Sequence, residues 1–114
     1  MPALLAVALG LSGAPAQASD AHGKTGSVIL RMCQSGDKVK MLSVMCHSYL
    51  DGFLDGAQHA GGGKAGYCVA DTDRKRVPAA VVEWLGAHPE ALNQPGGDVL
   101  QKALTEHFPC KARK

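Results

Sequence analysis

The longest regular pattern of apolar residues in the chain lies between residues 41 and 57. Leu42, Cys46, Tyr49, Phe53 and Ala57 recur there at steps of three and four residues. This spacing places their side chains on one face of a helix of about 16–18 residues. Ser43, Asp51, Asp55 and Gln58 fall mainly on the other side of this helix. The pattern therefore predicts an amphipathic helix rather than a membrane-spanning one.

Two glycines interrupt this predicted helix, Gly52 and Gly56. Each costs a helix about 1 kcal/mol relative to alanine. Glycine is favoured where another backbone approaches closely. We therefore expect a neighbouring segment to pack against the helix at these positions.

A shorter helix is predicted before the central one. Its apolar side is formed by Val28, Ile29, Met32 and Cys33. Thr25 or Ser27 could act as its N-cap. Ser35-Gly36-Asp37 then ends it, with Gly36 as the stop residue. Because the turn to the central helix is short, the two helices should form a hairpin.

Two further helices are predicted after the central one. Pro78 suits the first turn of a third helix, which His88-Pro89 ends. A fourth helix runs from about Asp98, as its cap, to His107. The apolar positions of these two helices are Val81, Val82, Trp84, Leu85, Val99, Leu100, Ala103 and Leu104. No segment alternates like a strand over more than a few residues, so we predict an all-α bundle of four main helices.

Polar segments connect these helices. Residues 60–66 are rich in glycine and predict a flexible turn. Residues 71–76 are densely charged and are expected to face solvent, and residues 91–97 are expected to form a loop with Pro95, Gly96 and Gly97.

The first residues of the sequence predict export. A short apolar run, residues 3–11, is followed by Ala16-Gln17-Ala18, the A-x-A pattern of a signal-peptidase site. We expect residues 1–18 to be a signal peptide cleaved after Ala18, residues 19–26 a flexible mature N-terminus, and residues 27–114 the helical domain. The apolar run is too short to span a membrane, and no later segment qualifies, so membrane insertion is not expected.

Composition indicates that this domain needs covalent support. The chain is 46% hydrophobic but only 4% aromatic, so its core consists mainly of small aliphatic side chains. An even number of cysteines in an exported chain points to two disulfides, although four cysteines allow three connectivities. Cys33 and Cys46 are well placed to bridge the predicted hairpin, which leaves Cys68 to pair with Cys110. By restricting the unfolded chain, the Cys33–Cys46 bond would contribute about 3 kcal/mol to stability and the Cys68–Cys110 bond about 4 kcal/mol.

Charge and cysteine spacing exclude several classes of function. The net charge is +2, without a basic stripe interleaved with aromatic residues, so nucleic-acid binding is not expected. No C-x-x-C pair is present, which argues against a zinc ribbon and a thioredoxin-type redox site.

Residues of potential catalytic use have simpler explanations. Cys46 and His47 are adjacent and would point about 100° apart on a helix, and a disulfide would remove the thiol. Asp51 and Asp55 lie one turn apart, as expected of a solvated polar face. The segment 61–64, Gly-Gly-Gly-Lys, lacks the spacing of a P-loop.

Metal binding is not favoured either. His47, His59, His88 and His107 lack the i, i+4 spacing of a helical zinc motif. The residues therefore predict no enzyme, no metal and no cofactor, and they favour a rigid scaffold for binding.

The order of landmarks resembles one known family. The sequence reads Leu30-Arg31-Met32-Cys33-Gln34-Ser35, Cys46-His47-Ser48-Tyr49-Leu50-Asp51-Gly52, Tyr67-Cys68, His88-Pro89-Glu90, and Ala103-Leu104 before Phe108-Pro109-Cys110. In this order these segments resemble the Rap/Tai family, small periplasmic immunity proteins associated with amidase effectors of type VI secretion. The resemblance covers about residues 29–110. It departs after the third cysteine, where Val69-Ala70 replaces an expected Leu-Pro pair, and at Pro78, where the family's third helix should already be under way.

The resemblance implies an all-helical, periplasmic and often dimeric protein that is not an enzyme. It implies binding to a peptidoglycan amidase effector and blockage of its active-site cleft. We expect the contacts to lie in two exposed segments, residues 71–76 and 90–97. The candidate partner-binding residues are Arg74, Lys75, Arg76, Glu90, Asn93 and Gln94.

Two other functions remain open at this stage. A periplasmic acid-stress chaperone is also helical and disulfide-bonded, and the five histidines could contribute to a pH switch. Dye binding and light scattering at low pH would distinguish it. An orphan family member that binds an unrelated envelope partner is the other alternative, and an adjacent amidase gene would argue against it.

Overall fold

Four α-helices form the core of this protein, for which the computed structural model describes residues 23–35 and 38–111. They are α1 (Gly26–Gln34), α2 (Lys40–Gly61), α3 (Val77–Ala87) and α4 (Gly96–His107). Short 3₁₀-helices occupy Gly62–Ala65, Asp71–Arg76 and Pro89–Asn93. The described residues contain no strand, only two isolated β-bridges, Thr25 with Pro95 and Tyr67 with Pro109. The predicted all-α class is therefore confirmed.

The central helix has the orientation that the apolar pattern predicts. Cys46, Leu50 and Leu54 are buried along α2. The other apolar positions of the same face are half-buried, namely Leu42, Tyr49, Phe53 and Ala57. Because these residues follow a helical period, one continuous face of α2 covers the core.

Helix α3 lies at the centre of the packing and contacts the other three helices. It contributes Val77, Val81, Trp84 and Leu85 to the buried core. Pro78 lies in its first turn, as predicted, where the missing N–H is tolerated. The core residues from the other helices include Ile29, Met32, Val99, Leu100, Ala103 and Leu104.

Two disulfides are present, at the predicted pairs. Cys33 of α1 is bonded to Cys46 of α2, with their Cα atoms 5.0 Å apart. Cys68 is bonded to Cys110, with their Cα atoms 4.8 Å apart. The second bond is supported by a hydrogen bond of 2.8 Å from the Cys68 amide to the Phe108 carbonyl.

Several element boundaries differ from the sequence predictions. Helix α2 continues past Ala57 to Gly61, and residues 71–76 and 89–93 form 3₁₀ turns rather than irregular loops. Pro95, not Asp98, is the N-cap of α4, because its backbone is extended and its carbonyl accepts the hydrogen bonds of the Asp98 and Val99 amides. Thr25 caps α1 through its backbone, but its side chain makes no capping hydrogen bond.

The expected close packing at the two central glycines is wrong. Among the described residues, no atom outside the local helix lies within 4 Å of where a Cβ would stand at Gly52 or at Gly56. Both residues lie on the exposed side of α2. Tight packing instead occurs at Gly26 and Gly96, at the starts of α1 and α4.

Within the described residues, no helix is long and apolar enough to cross a membrane. The predicted signal peptide and its cleavage site after Ala18 lie outside those residues. So does Gly36, the predicted stop residue of the first helix.

Candidate partner-binding surface

The first predicted contact segment is an ordered turn that leads into α3. Its 3₁₀-helix begins with a hydrogen bond of 2.8 Å from the Asp73 amide to the Ala70 carbonyl. Asp71 and Asp73 lie in its first turn and the basic residues in its last, which suits the helix dipole. Val77, which follows directly, is buried and anchors the end of the turn.

Arg74 turns inward and ties this segment to α2. Its Nη1 atom lies 3.4 Å from Asp51 Oδ1, and its Nη2 atom lies 2.8 Å from Asp55 Oδ1. The pKa of the Arg74 guanidinium is raised, mainly because it donates a hydrogen bond to Asp55. Partial burial acts in the opposite direction, and the charges of the nearby carboxylates raise the pKa further. The arginine side chain is 26% exposed, whereas the Asp51 and Asp55 side chains are 53% and 68% exposed. The two aspartates therefore lie on an exposed polar face and also pair with Arg74.

Charge reversal of Arg74 is expected to destabilise the fold modestly. In Arg74→Glu, a third carboxylate would face Asp51 and Asp55, and we expect the free energy of unfolding to fall by about 1 kcal/mol. Urea unfolding followed by circular dichroism would measure the loss. Lys75→Glu reverses the same charge at an exposed neighbour and should change stability by less than about 0.5 kcal/mol. If both variants lost the same free energy of unfolding, the ion pairs of Arg74 with α2 would not stabilise the fold.

Lys75 and Arg76 remain available at the surface. Lys75 is exposed, and the Arg76 side chain is 63% exposed although Nη2 lies 3.0 Å from Asp73 Oδ1. The Arg76 guanidinium also lies 5.5 Å from the centroid of the Phe108 ring, a cation–π geometry. Arg76 is therefore held in position while its charge stays accessible.

The second predicted segment presents fewer free side chains. Glu90 and Asn93 are exposed, while Ala91 between them is buried and fixes the turn. Gln94 is half-buried: its side-chain oxygen lies 3.3 Å from Lys102 Nζ, and its carbonyl accepts a hydrogen bond of 3.0 Å from the Gly26 amide. Gln94 thus connects this turn to α1 and α4, and Glu90 and Asn93 form the exposed surface of the turn.

The two candidate segments do not meet. They flank α3, one before its first residue and one after its last. A helix of 11 residues is about 16 Å long, so its two ends lie about that far apart. A single loop that enters a cleft would therefore use one segment directly and not the other.

The fold also forms a cavity that the sequence did not predict. It is open to solvent and has a volume of about 370 Å³ between α2 and residues 65–70. Its lining consists of Leu54, Ala57, Gln58, Ala65, Tyr67, Cys68, Val69, Ala70 and Arg74. Three of these lining residues are alanines, whose small side chains leave space, but their positions along the chain gave no signal that they would meet.

Two polar side-chain atoms beside this cavity have no hydrogen-bond partner among the residues that the structure describes. They are the Tyr67 hydroxyl and Arg74 Nε, and both are closed to solvent. Burial raises the pKa of Tyr67, which keeps its hydroxyl neutral.

The histidines and cysteines perform structural roles or lie apart from one another. His88 stacks on Trp84 with ring centroids 4.0 Å apart, and its Nδ1 atom lies 2.8 Å from the Trp84 carbonyl oxygen. His47 and His59 are exposed on α2. Cys46 is in a disulfide and offers no thiol. In the described part of the chain, no group of three or more His, Cys, Asp or Glu residues could hold a metal ion.

Comparison with known proteins identifies the family. Searches of curated proteins and of solved structures gave no match. A model of the family of Rap1a immunity proteins matches residues 25–110. The matched region begins at the residue before α1 and ends at Cys110, the last cysteine of the second disulfide. Since it covers all four helices and well over half of the sequence, the chain belongs to the Rap1a immunity protein family.

Proposed function

We propose that this protein is a periplasmic immunity protein that binds and inhibits a peptidoglycan amidase effector of a type VI secretion system. The observation that carries the proposal is the family match over residues 25–110. Membership supports an immunity function toward a secreted effector, and such proteins are generally not enzymes. The amidase, the secretion system and the periplasm come from the resemblance to Rap/Tai proteins, and they belong to the proposal.

The two disulfides support the proposed compartment. Structural disulfides persist in oxidising environments such as the periplasm and are rare in the cytosol. Both bonds join segments distant in sequence, by 13 and 42 residues, and so add to the stability of a small core. The structure is thus compatible with an exported protein.

Rigidity gives this scaffold a physical means of inhibition. Lys75 and Arg76 lie on a short turn held by Arg74 on one side and by buried Val77 on the other. A turn that is already ordered loses little conformational entropy when it enters a cleft, and this favours affinity. We propose that this turn makes the principal contact with the effector.

The direct test of the function is an inhibition assay. The oxidised mature chain would be mixed with the purified amidase encoded next to its gene, and release of muropeptides from peptidoglycan would be followed. We expect stoichiometric inhibition and co-purification of the two proteins. Unchanged cleavage at excess inhibitor, with no complex on gel filtration, would refute the proposal.

Charge reversal on the principal turn is expected to weaken the complex. The double variant Lys75→Glu with Arg76→Glu should lower affinity for the amidase at least about tenfold, which is about 1.4 kcal/mol. Isothermal titration calorimetry would measure the change.

The matched variant lies at the other end of α3. Glu90→Lys with Asn93→Lys changes charge at two exposed residues of the second turn, about 16 Å away. We expect a smaller loss of affinity there. A larger loss in this variant would transfer the principal contact to the second turn, and no loss in either would exclude both segments.

A second copy of the chain is also among the proposed partners, since the family resemblance implies that such proteins are often dimeric. Nucleic-acid binding and membrane insertion are not part of the proposal.

A further inference from the structure

The cavity between α2 and residues 65–70 is large enough to hold a ligand. Its volume of about 370 Å³ is more than twice the roughly 150 Å³ that holds a benzene molecule in an engineered apolar cavity. Ligand sites in proteins begin at about 300 Å³ and combine a mainly apolar lining with a few polar groups. The cavity therefore has room for one ring system or a side chain of that size.

The walls of this cavity are fixed by contacts within the chain. On one side Tyr67 forms a β-bridge with Pro109, and Cys68, the next residue, is in the second disulfide. On the other side Arg74 is tied to α2 by ion pairs of 3.4 and 2.8 Å. A site that is already formed loses little conformational entropy when a ligand enters it, and this favours affinity.

The residues that line the cavity favour an aromatic ring. Leu54 and Val69 offer aliphatic surface to the faces of a ring. The ring of Tyr67 can pack against a second ring edge to face or with an offset. Arg74 is also in the lining, and a guanidinium group stacks well on an aromatic face. A short aliphatic side chain would leave much of the volume empty and lose these contacts.

The part of the ligand inside the cavity should carry no charge. Arg74 is the one residue of the lining with a permanent charge, and two carboxylates of α2 already pair with it. Burial raises the pKa of Tyr67, so its hydroxyl stays neutral. Cys68 is in a disulfide and has no thiolate. No side chain of the lining therefore offsets the cost of removing a charged ligand from water.

The cavity lies next to the proposed effector-binding turn. Arg74 belongs both to the lining and to the turn at residues 71–76, and Ala70, also in the lining, is the N-cap of that turn. Gln58 lines the cavity and is exposed, so its side-chain amide can bond to the backbone of a bound polypeptide. A protein that contacts Lys75 and Arg76 therefore lies within reach of the cavity.

We propose that this cavity receives the side chain of an aromatic residue of the effector, as an anchor beside the contact with Lys75 and Arg76. This rests on the proposed function, because it takes the effector as the source of the ring. A few aromatic side chains seated in pockets often supply most of the binding energy of an interface. The basic turn orients the effector by charge, and the cavity supplies apolar burial.

A small probe tests the cavity without the effector. N-acetyl-tryptophanamide, an indole ring with uncharged amides, would be titrated into the isotopically labelled, oxidised mature chain and followed by NMR. We expect saturable shifts of the backbone amides of residues 54–58 and 65–70, which contain most of the lining. N-acetyl-alaninamide should bind at least about tenfold more weakly, because it lacks the ring. N-acetyl-tryptophan, which has a free carboxylate, should bind no more tightly than the amide.

Two results of this titration would overturn the proposal. One is the absence of saturable shifts at the residues of the lining. The other is tighter binding of the free carboxylate than of the amide, because the cavity would then select a charged ligand.

Filling the cavity tests its role in the complex. Ala57→Phe places a ring of the chain itself in this space, and it should prevent binding of the probe and lower affinity for the amidase at least about tenfold. Ala60→Phe is the matched control, since it adds the same ring at an exposed position of α2 outside the lining. It should change neither measurement. If circular dichroism showed that Ala57→Phe loses its helices, Ala70→Phe would fill the cavity from an exposed residue.

The outcomes separate this proposal from the proposed function. A folded variant with a filled cavity that keeps wild-type affinity for the amidase would overturn the anchor and leave the inhibitor role intact. This holds even if the probe binds, because the cavity would then serve a small aromatic molecule. If the wild-type chain formed no complex with the amidase, the proposed function would be refuted, and with it the effector as the source of the ring.

Discussion

Replacing Cys68 and Cys110 together by alanine is expected to lower the free energy of unfolding by about 4 kcal/mol. The bond closes a segment with a sequence separation of 42 residues, and its loss restores that chain entropy to the unfolded state. Domains of this size have a net stability of about 5–15 kcal/mol. The variant should therefore unfold at a much lower urea concentration than the wild type, with the midpoint measured by circular dichroism.

The same variant should also impair the proposed effector-binding turn. The bond lies beside the bridge between Tyr67 and Pro109 and beside the hydrogen bond from the Cys68 amide to the Phe108 carbonyl. These contacts hold the segment that leads into the turn at residues 71–76, so their loss should reduce affinity for the effector as well as stability.

The other disulfide provides the comparison. Replacing Cys33 and Cys46 by alanine opens a separation of only 13 residues and should cost about 3 kcal/mol in chain entropy. Cys46 is 2% exposed, so its truncation adds a packing loss that the exposed Cys68 and Cys110 do not have. If the variant without Cys68 and Cys110 unfolded at the same urea concentration as the wild type, the Cys68–Cys110 bond would contribute little to stability.

Local periodicity was sufficient to predict much of this fold. Cys46, Tyr49 and Phe53 recur at helical steps, and this pattern identified both α2 and its buried face. The disulfide pairs followed from the same prediction, since a helical hairpin brings Cys33 and Cys46 together and leaves Cys68 and Cys110. The helix and the first disulfide depend on residues that are near one another in sequence. The second disulfide follows because Cys68 and Cys110 are the two cysteines that remain.

The role of Arg74 could not be predicted in this way. Its two partners lie 23 and 19 residues earlier, on a helix whose orientation is set by tertiary packing. From sequence alone, Arg74, Lys75 and Arg76 look equivalent, because each is a basic residue in a charged segment. The structure distinguishes Arg74, which pairs with two carboxylates of α2, from Lys75 and Arg76, whose side chains are exposed.

The glycines show the same limit of local reasoning. A glycine within a helix has one local energetic cost, but the reason for its presence lies in neighbours that the sequence does not specify. Gly52 and Gly56 were expected to be packed and are open, whereas Gly26 and Gly96 are packed. The open pair lies on the exposed side of α2, and the packed pair joins the beginnings of two helices.

Gly96→Ala is expected to destabilise the protein by about 3 kcal/mol, at the upper end of the usual cost of overpacking. A Cβ at Gly96 would lie 2.7 Å from the Lys24 carbonyl oxygen and 3.0 Å from Ile29 Cδ1. It would also lie 2.5 Å from the Tyr49 hydroxyl oxygen. The Tyr49 side chain can move, but the Lys24 carbonyl cannot easily do so, because it accepts the hydrogen bond of the Gly96 amide.

Gly26→Ala should have a similar effect for the same reason. Its Cβ would overlap the backbone carbonyl of Ala91, a buried residue in the turn after α3. The Gly26 amide is itself bonded to the Gln94 carbonyl at 3.0 Å, so α1 and this turn cannot separate without breaking that bond. The two substitutions therefore act on one junction, and their combined effect should be smaller than the sum of the separate losses.

Gly97→Ala is the matched control for both, since it adds the same methyl group one residue further along α4. A Cβ at Gly97 meets nothing within 4 Å, so this variant should be as stable as the wild type or more stable by up to about 1 kcal/mol. Urea unfolding of the three variants would measure the differences. If Gly96→Ala and Gly97→Ala unfolded at the same midpoint, the tight junction between the starts of α1 and α4 would not exist in solution.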